Sequence, residues 1–345
     1  MKISIILPTF NRASILKETL KSIIDQSFKD FEILVWDDAS TDSTEETVKK
    51  INDERIIYHK NAKNLGYGRN LQAAFENVKG DIVFLMGDDD ILLPDALYKT
   101  HEAFLRGEHI GLVTRPYYWF WDDPKKPIRH IPLCDPDKDV ELSIYDGRPS
   151  IEYLFRSAGQ LSGLAFREKY MDVGFHEDVF TSHIYPFFSI LKKYKAVYLK
   201  DFTVAVRTPL SMSTYMVDIY TIKSPTLNWL NMFNRLYAEE NLSEIKKQCI
   251  DLLVNDTFNV FLTIKTVTKM NKYVINEMKV DAKYSQHIIY NPKFYFYGLI
   301  ALLFPSGLLR SLINIYKTKF MPKAINKTVI KKIDDTFNQS DKGFQ

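Results

Sequence analysis

Over its first ninety residues the chain alternates short β-branched runs with amphipathic stretches, and this rhythm narrows its folds more than any other feature. Ile3–Leu7, Phe31–Trp36, Arg55–His59 and Asp81–Met86 read as strands. Ile3–Leu7 is apolar throughout, as expected of a strand covered on both faces. Between the strands lie a helix capped by Ser14, a short helix opened by the capping box Ser43-x-x-Glu46, and a helix over Gly68–Val78 ended by Gly80 in a left-handed conformation. A β-α-β-α-β-α-β order demands a mainly parallel sheet with right-handed crossovers.

The rest of the chain is organised differently. Residues 116–149 hold six prolines and many aspartates, which predicts an extended loop or insertion. Regular structure resumes near Ile151, and from about Ser224 the pattern turns helical, with a break at Asn241–Glu244. The expected divisions are 1–115 and 116–215, two halves of one α/β unit, followed by a helical C-terminal region over 216–345. The longest apolar run, Phe294–Phe304, is cut short by Pro305 before it reaches the roughly 20 residues of a spanning helix. Nothing near Met1 reads as a secretory leader. Cys134 and Cys249 are too few for a disulfide framework and suit a reducing compartment.

Charge excludes one class of function. With 46 Lys+Arg against 43 Asp+Glu, the chain lacks the basic excess on which general nucleic-acid binding depends. The distribution is uneven, however. Beyond Asn291 there are nine Lys/Arg, three Asp and no Glu.

Ligands of open α/β sheets bind beyond the carboxyl ends of the strands. Here those ends read Pro8-Thr9-Phe10-Asn11-Arg12, Asp37-Asp38 and Gly87-Asp88-Asp89-Asp90. Three consecutive carboxylates repel one another, and a divalent cation completed by substrate phosphates offsets that cost. No Walker-type phosphate loop occurs. Gly66-Tyr-Gly68 lacks the third glycine and the strand context of a dinucleotide fingerprint.

Four motifs in order, Pro-Thr-Phe-Asn-Arg, Trp-Asp-Asp-Ala-Ser-Thr-Asp-Ser, Asn-Leu-Gly and Gly-Asp-Asp-Asp-Ile-Leu-Leu-Pro-Asp, resemble the family 2 glycosyltransferases. The resemblance implies a GT-A fold, Rossmann-like with a helical C-terminal region. It also implies inverting transfer from a nucleotide-diphosphate sugar with Mn²⁺ or Mg²⁺. By position, Pro8, Thr9 and Arg12 would line the nucleotide pocket, and Asp38 would accept from the nucleobase imide, which favours a UDP-sugar. Asn64, Gly66 and Arg69 would sit near base and diphosphate, Asp88 toward the ribose, and Asp89 and Asp90 at the metal. The commonest family variant has an acidic residue where Gly87 stands.

The general base that an attacking hydroxyl requires is not in the family's usual Glu-Asp position. Counting back from Ala196–Leu199 reaches Ser182-His183, whereas the acidic pair Glu177-Asp178 lies earlier. His183 and Asp178 are therefore both candidates. The implied acceptor is a hydroxyl of a glycan or lipid-linked oligosaccharide in surface polysaccharide synthesis, on the cytoplasmic side of the membrane. A sugar-1-phosphate nucleotidyltransferase and a catalytically silent scaffold at the membrane are the alternatives. The apolar, basic tail is read either as peripheral membrane contact or as packing on the catalytic unit or a second subunit. Tyr117, Tyr118, Trp119 and Trp121 suit either stacking on an acceptor sugar or a core.

Overall fold

The computed structural model describes residues 1–208, 220–221, 223–256, 258–285 and 288–342. It divides into two compact units, Met1–Thr208 with Ile325–Gln345, and Pro209–Ala324. The last helix thus joins the first unit, so the expected helical region 216–345 is split at residue 325. Residues on either side of the expected 115/116 division lie in one unit.

The first unit is built on an eight-stranded sheet. In chain order its strands and those of a smaller sheet are β1 (Ile3–Thr9), β2 (Phe31–Asp37), β3 (Ile56–Lys60), β4 (Ile82–Leu85), β5 (Ile91–Leu92), β6 (Ile110–Thr114), β7 (Tyr117–Phe120), β8 (Pro127–His130), β9 (Val140–Leu142), β10 (Ala165–Arg167), β11 (Lys195–Tyr198) and β12 (Val204–Arg207). The large sheet runs β3-β2-β1-β4-β10-β6-β11-β9, and the small one β5-β12-β7-β8. The four expected strands pair in parallel, with Ile3 opposite Phe31 and Ile82, and Ile33 opposite Ile56. β10 runs antiparallel to both β4 and β6 and links the two halves. Residues 116–149, expected as extended loop, contribute β7, β8 and β9.

The helices of this unit are α1 (Leu16–Ile24), α2 (Thr44–Lys49), α3 (Tyr67–Phe75), α4 (Ala96–Phe104), α5 (Arg148–Ala158) and α6 (Ile184–Ile190). The sheet and helices enclose a core that includes Ile5, Leu34, Leu71, Phe84, Leu112 and Phe166.

Local expectations fail where tertiary contacts replace them. Ser14 does not cap α1, whose N-cap is Ile15. Ser43 precedes α2 without a side-chain cap bond, and the Thr44 amide donates to Asp42 Oδ1 instead. Gly80 has no positive φ. Its value is space, because a β-carbon there would lie 2.7 Å from Lys2 O and 2.9 Å from Ser4 Oγ.

The second unit contains helices α7 (Pro225–Leu236), α8 (Ser243–Asp256), α9 (Asn259–Thr268), α10 (Asn271–Tyr284), α11 (Pro292–Leu303) and α12 (Ser306–Ile315). Phe258, Phe261, Ile264, Val274 and Phe294 form its core. Helix α13 (Lys327–Lys342), back in the first unit, inserts Val329 and Ile333 among Tyr118, Phe120 and Phe202. No helix among the described residues is long and apolar enough to cross a membrane.

Candidate functional site

The carboxyl ends of β1, β2 and β4 meet, as the parallel order requires. After β1 the chain turns through Asn11 at φ 55°. Asn11 Oδ1 accepts from the Thr41 amide at 2.8 Å, and the Arg12 amide donates to Thr44 Oγ1 at 3.0 Å. The loops after β1 and β2 are thereby stitched together. The Asp38 amide donates to Thr9 O at 2.9 Å, joining the two strand ends directly.

The Asp38 carboxylate organises the next loop. Its Oδ1 accepts from Asn61 Nδ2 at 3.0 Å and the Leu65 amide at 2.7 Å, and its Oδ2 accepts from the Gly66 amide at 2.9 Å. A carboxylate offers about four lone-pair sites, so one acceptor direction remains for an imide N–H. Asn64 Nδ2 donates to Asp38 O at 3.1 Å. Gly66 takes φ 82°, a left-handed value that favours glycine. Arg69, expected beside the diphosphate, is exposed and paired with Glu177 at 2.7 Å.

At the end of β4 the three aspartates divide by environment. Arg12, itself buried, lies 3.4 Å from Asp88 Oδ1 and 3.6 Å from Asp89 Oδ2. Asp90 is turned the other way. Its Oδ1 accepts from the Arg207 amide at 2.9 Å, and its Oδ2 accepts from Ser162 Oγ at 2.5 Å and Gln160 Nε2 at 3.0 Å. The Thr19 hydroxyl reaches the carbonyls of Asp88 and Asp90. Burial pushes the pKa of all three carboxyls above the ordinary range, and the charge of Asp89 adds to the shift at Asp88 and Asp90.

These environments bear on the expected metal. Asp88 and Asp89 present desolvated oxygens beside Arg12, with Arg207 also acting on Asp89, a donor set suited to a hard divalent cation. Asp90, expected as a ligand, has both carboxylate oxygens engaged by the Arg207 amide, Ser162 and Gln160. Among the described residues no group of three or more His, Cys, Asp or Glu is disposed to hold a metal. The fit is therefore to a cation shared between one or two carboxylates and substrate phosphates.

His183 and Asp178 lie on a segment that docks against α3. Gly68 allows this approach, because a β-carbon there would collide with His176 O and lie 2.8 Å from Glu177 Cα. His183 is buried. Its Nε2 hydrogen bonds Ala158 O at 3.1 Å and its Nδ1 the Tyr67 hydroxyl at 3.0 Å. A carbonyl only accepts, so Nε2 carries the proton and Nδ1 accepts from Tyr67. Burial lowers the His183 pKa to about 4. A base needs a lone pair open to its substrate, and the imidazole expected as base has both nitrogens engaged. Asp178 is also largely buried, but among the described residues only its Oδ1 is occupied, by the Phe180 amide at 3.1 Å.

Several supporting residues carry no local signal in the sequence. Arg207, on β12, donates through its amide to Asp90, through Nε to Asp89 O at 3.0 Å, and through Nη2 to Glu18 at 2.6 Å. Fully buried Arg115 donates to Ser157 O at 3.0 Å, Gln160 O at 2.8 Å and Ser162 O, fixing the turn that reaches Asp90. In the aromatic cluster, Tyr118 is core, while Trp119 on the other face of β7 stacks beneath Arg129 at 3.5 Å.

The parallel β3-β2-β1-β4 sheet, its gathered acidic strand ends and the antiparallel β10 define an α/β domain of the GT-A class. Residues 4–165, a little under half of the chain, match glycosyl transferase family 2. The chain is 41% identical over 99 residues to the GalNAc(5)-diNAcBac-PP-undecaprenol beta-1,3-glucosyltransferase of Campylobacter jejuni, a match covering 28% of this chain and 32% of that protein. The chain thus matches well under half the length of that relative. Among solved structures, TarS 1-349 of S. aureus in complex with UDP-GlcNAc superposes with a TM-score of 0.61 at 19% identity, covering 99% of this chain and 92% of that one. The mannosyltransferase PcManGT from Pyrobaculum calidifontis, in complex with GDP-Man and Mn²⁺, gives 0.54 at 15% identity, covering 100% and 88%. At these identities the structures establish the shared fold.

Proposed function

We propose that the protein is an inverting glycosyltransferase that moves a sugar from a nucleotide-diphosphate sugar, a UDP-sugar in first place, to a hydroxyl of a glycan or lipid-linked oligosaccharide. The observation that carries this reading is the placement of Arg12 against Asp88 and Asp89 at the joined ends of β1 and β4. The names of the relatives support it, since the C. jejuni protein is a glucosyltransferase on an undecaprenol-linked glycan. The role proposed is in surface polysaccharide synthesis at the cytoplasmic face of a membrane, a reading that the undecaprenol-linked substrate in that relative's name supports.

In this reading Thr9, Pro8 and the open lone pair of Asp38 receive the nucleoside, while Asn64 and Gly66 shape the loop over it. Asp88 and Asp89 would hold Mn²⁺ or Mg²⁺, which supplies electrostatic stabilisation to the departing diphosphate. Arg12 neutralises the two carboxylates and offers a cation to the phosphates. Asp178 takes the acceptor proton as the hydroxyl oxygen bonds to the anomeric carbon and the bond from that carbon to the phosphate oxygen breaks. Attack from the face opposite the leaving group inverts the anomeric configuration. His183 positions this segment through Tyr67 and Ala158 rather than taking the proton. The nucleotidyltransferase alternative finds no glycine-rich phosphate loop after β1, where Phe10–Ile15 contains no glycine.

The test is hydrolysis and binding of a panel of UDP- and GDP-sugars with Mn²⁺, with Mg²⁺ and with chelator. Metal-dependent turnover of a sugar nucleotide is expected. Neither turnover nor nucleotide binding with any donor would leave the silent scaffold as the better reading. The anomeric configuration of a transferred product, read by proton NMR, checks inversion.

A further inference from the structure

Helices α11 and α12 expose an apolar surface of unusual extent. Along α11, Phe294, Gly298 and Ala301 are buried, while Tyr295, Phe296, Leu299 and Leu303 point outward. Leu303 is 73% exposed and Phe296 59%, values that leave whole side chains in water. Along α12, Leu309 is buried and Leu308, Leu312 and Ile315 face out, at the four- and three-residue steps of one helical face. Both helices pack against α9. The stripe continues through Tyr316 and Phe320, whose rings stack with centroids 6.4 Å apart in the turn that follows. Apolar residues scattered singly on a surface need no explanation, but a contiguous aromatic and aliphatic face does.

Charge identifies what covers it. From residue 282 to 324 the sequence has no Asp or Glu, and its charged residues are Lys283, Lys293, Arg310, Lys317, Lys319 and Lys323. A two-fold contact between copies would set this face against itself, bringing cations toward cations with no carboxylate in residues 282–324 to offset them. An anionic bilayer surface matches both properties at once. Its acyl boundary receives Phe296, Leu299, Leu303 and Leu308, while its phosphates receive the exposed Lys293, Lys319 and Lys323. Tyr290, Tyr295 and Tyr316 are suited to the headgroup level, with an apolar ring and a polar tip.

We infer that the outward face of α11 and α12 is a docking surface for an anionic lipid bilayer, which it enters in the plane of the interface without crossing. This inference stands on the helical unit alone and does not depend on the transferase reading.

Flotation of the full chain decides it, using vesicles of phosphatidylcholine alone and vesicles containing phosphatidylglycerol. Flotation with the anionic vesicles, weakened by salt and nearly absent with phosphatidylcholine alone, is the expected result. Leu303→Glu should lower the bound fraction about tenfold or more, through loss of apolar burial and gain of a like charge. Lys319→Glu should cost about fivefold or more on anionic vesicles. Circular dichroism should show both variants folded, as expected for exposed positions. Failure of the wild type to float with anionic vesicles, or equal flotation of Leu303→Glu, overturns the inference. A dimer in light scattering that Leu303→Glu dissociates, without vesicle binding, would assign the face to a second copy and overturn it equally.

Discussion

The Tyr67 hydroxyl donates to His183 Nδ1 at 3.0 Å, and this bond occupies the lone pair that a base would need. With Nε2 on Ala158 O, the imidazole ties the start of α3 to the end of α5. Because burial lowers its pKa from 6.5 to about 4, the folded state favours the neutral ring. The unfolded chain binds the proton first as pH falls, so this stabilisation is complete above about pH 6.5 and disappears as pH falls toward 4. The loss should approach about 3 kcal/mol. The wild type's advantage in urea midpoint over His183→Gln should shrink as pH falls from 7 to 4.5, a difference from which the opposite dependence of the buried aspartates, common to both proteins, cancels. A variant as steep as the wild type would show that another group is responsible.

Turnover should depend on Asp178 instead. Asp178→Asn keeps the acceptor for the Phe180 amide but removes the basic oxygen. The expected effect is a loss of about 10²–10⁴-fold in kcat with donor affinity within twofold of wild type. His183→Gln should lower activity only in proportion to lost folded protein. Near-normal turnover by Asp178→Asn would remove it as the base.

The neighbours Asp89 and Asp90 should fail in opposite ways. Asp90→Asn places an amide against Ser162, Gln160 and the Arg207 amide, and should cost about 1–3 kcal/mol in stability. Asp89→Asn removes a like charge from a crowded strand end, so thermal stability should hold or rise. It should at the same time abolish Mn²⁺-dependent nucleotide binding in calorimetry. Equal destabilisation by the two substitutions would contradict the division of roles.

Much of the donor half was legible because its determinants are local. Each β-branched run became a strand, and the sequence order of strand ends placed Arg12, Asp38 and Asp88 together through the parallel pairing itself. What supports Asp90 was not legible. Arg207 lies 117 residues away on β12 and reads as an ordinary arginine until that strand returns beside β7. β10 is a three-residue strand inserted antiparallel, too short for a periodicity to register. The burial of His183 was not legible for a related reason: it depends on Tyr67 and Ala158, which no spacing reveals. Ser14 and Gly80 show the same competition, where local capping rules gave way to packing.

Gly66 and Gly68, two residues apart, separate conformational from steric need. A β-carbon at Gly66 meets nothing within 4 Å, but φ 82° strains any L residue, so Gly66→Ala should cost about 1 kcal/mol without moving its neighbours. At Gly68 the backbone is ordinary and the space is filled by His176 and Glu177. Gly68→Ala should cost about 1–3 kcal/mol and displace the segment bearing Asp178, lowering kcat more than donor affinity. Stability from chemical denaturation, set beside kcat and donor Kd, reads both effects. A Gly68→Ala enzyme with unchanged kcat would detach that packing from catalysis.

In the helical unit, Glu277 and Asp281 stand one turn apart on α10 and are both buried. Glu277 Oε1 accepts from the Thr226 amide at 2.8 Å near the start of α7, so its charge is partly satisfied. Asp281 has a buried oxygen with no hydrogen-bond partner, and burial together with the Glu277 charge raises its pKa from 3.8 to about 8. The folded state therefore holds a proton that the unfolded chain releases. This contribution is complete below about pH 4 and is lost as pH rises through 8, the reverse of the His183 dependence. Asp281→Asn supplies a neutral side chain of the same size and should raise the thermal midpoint at pH 8 while changing it little at pH 5. An Asn variant that melts lower than wild type at pH 8 would mean that the ionised carboxylate has a partner in the folded protein.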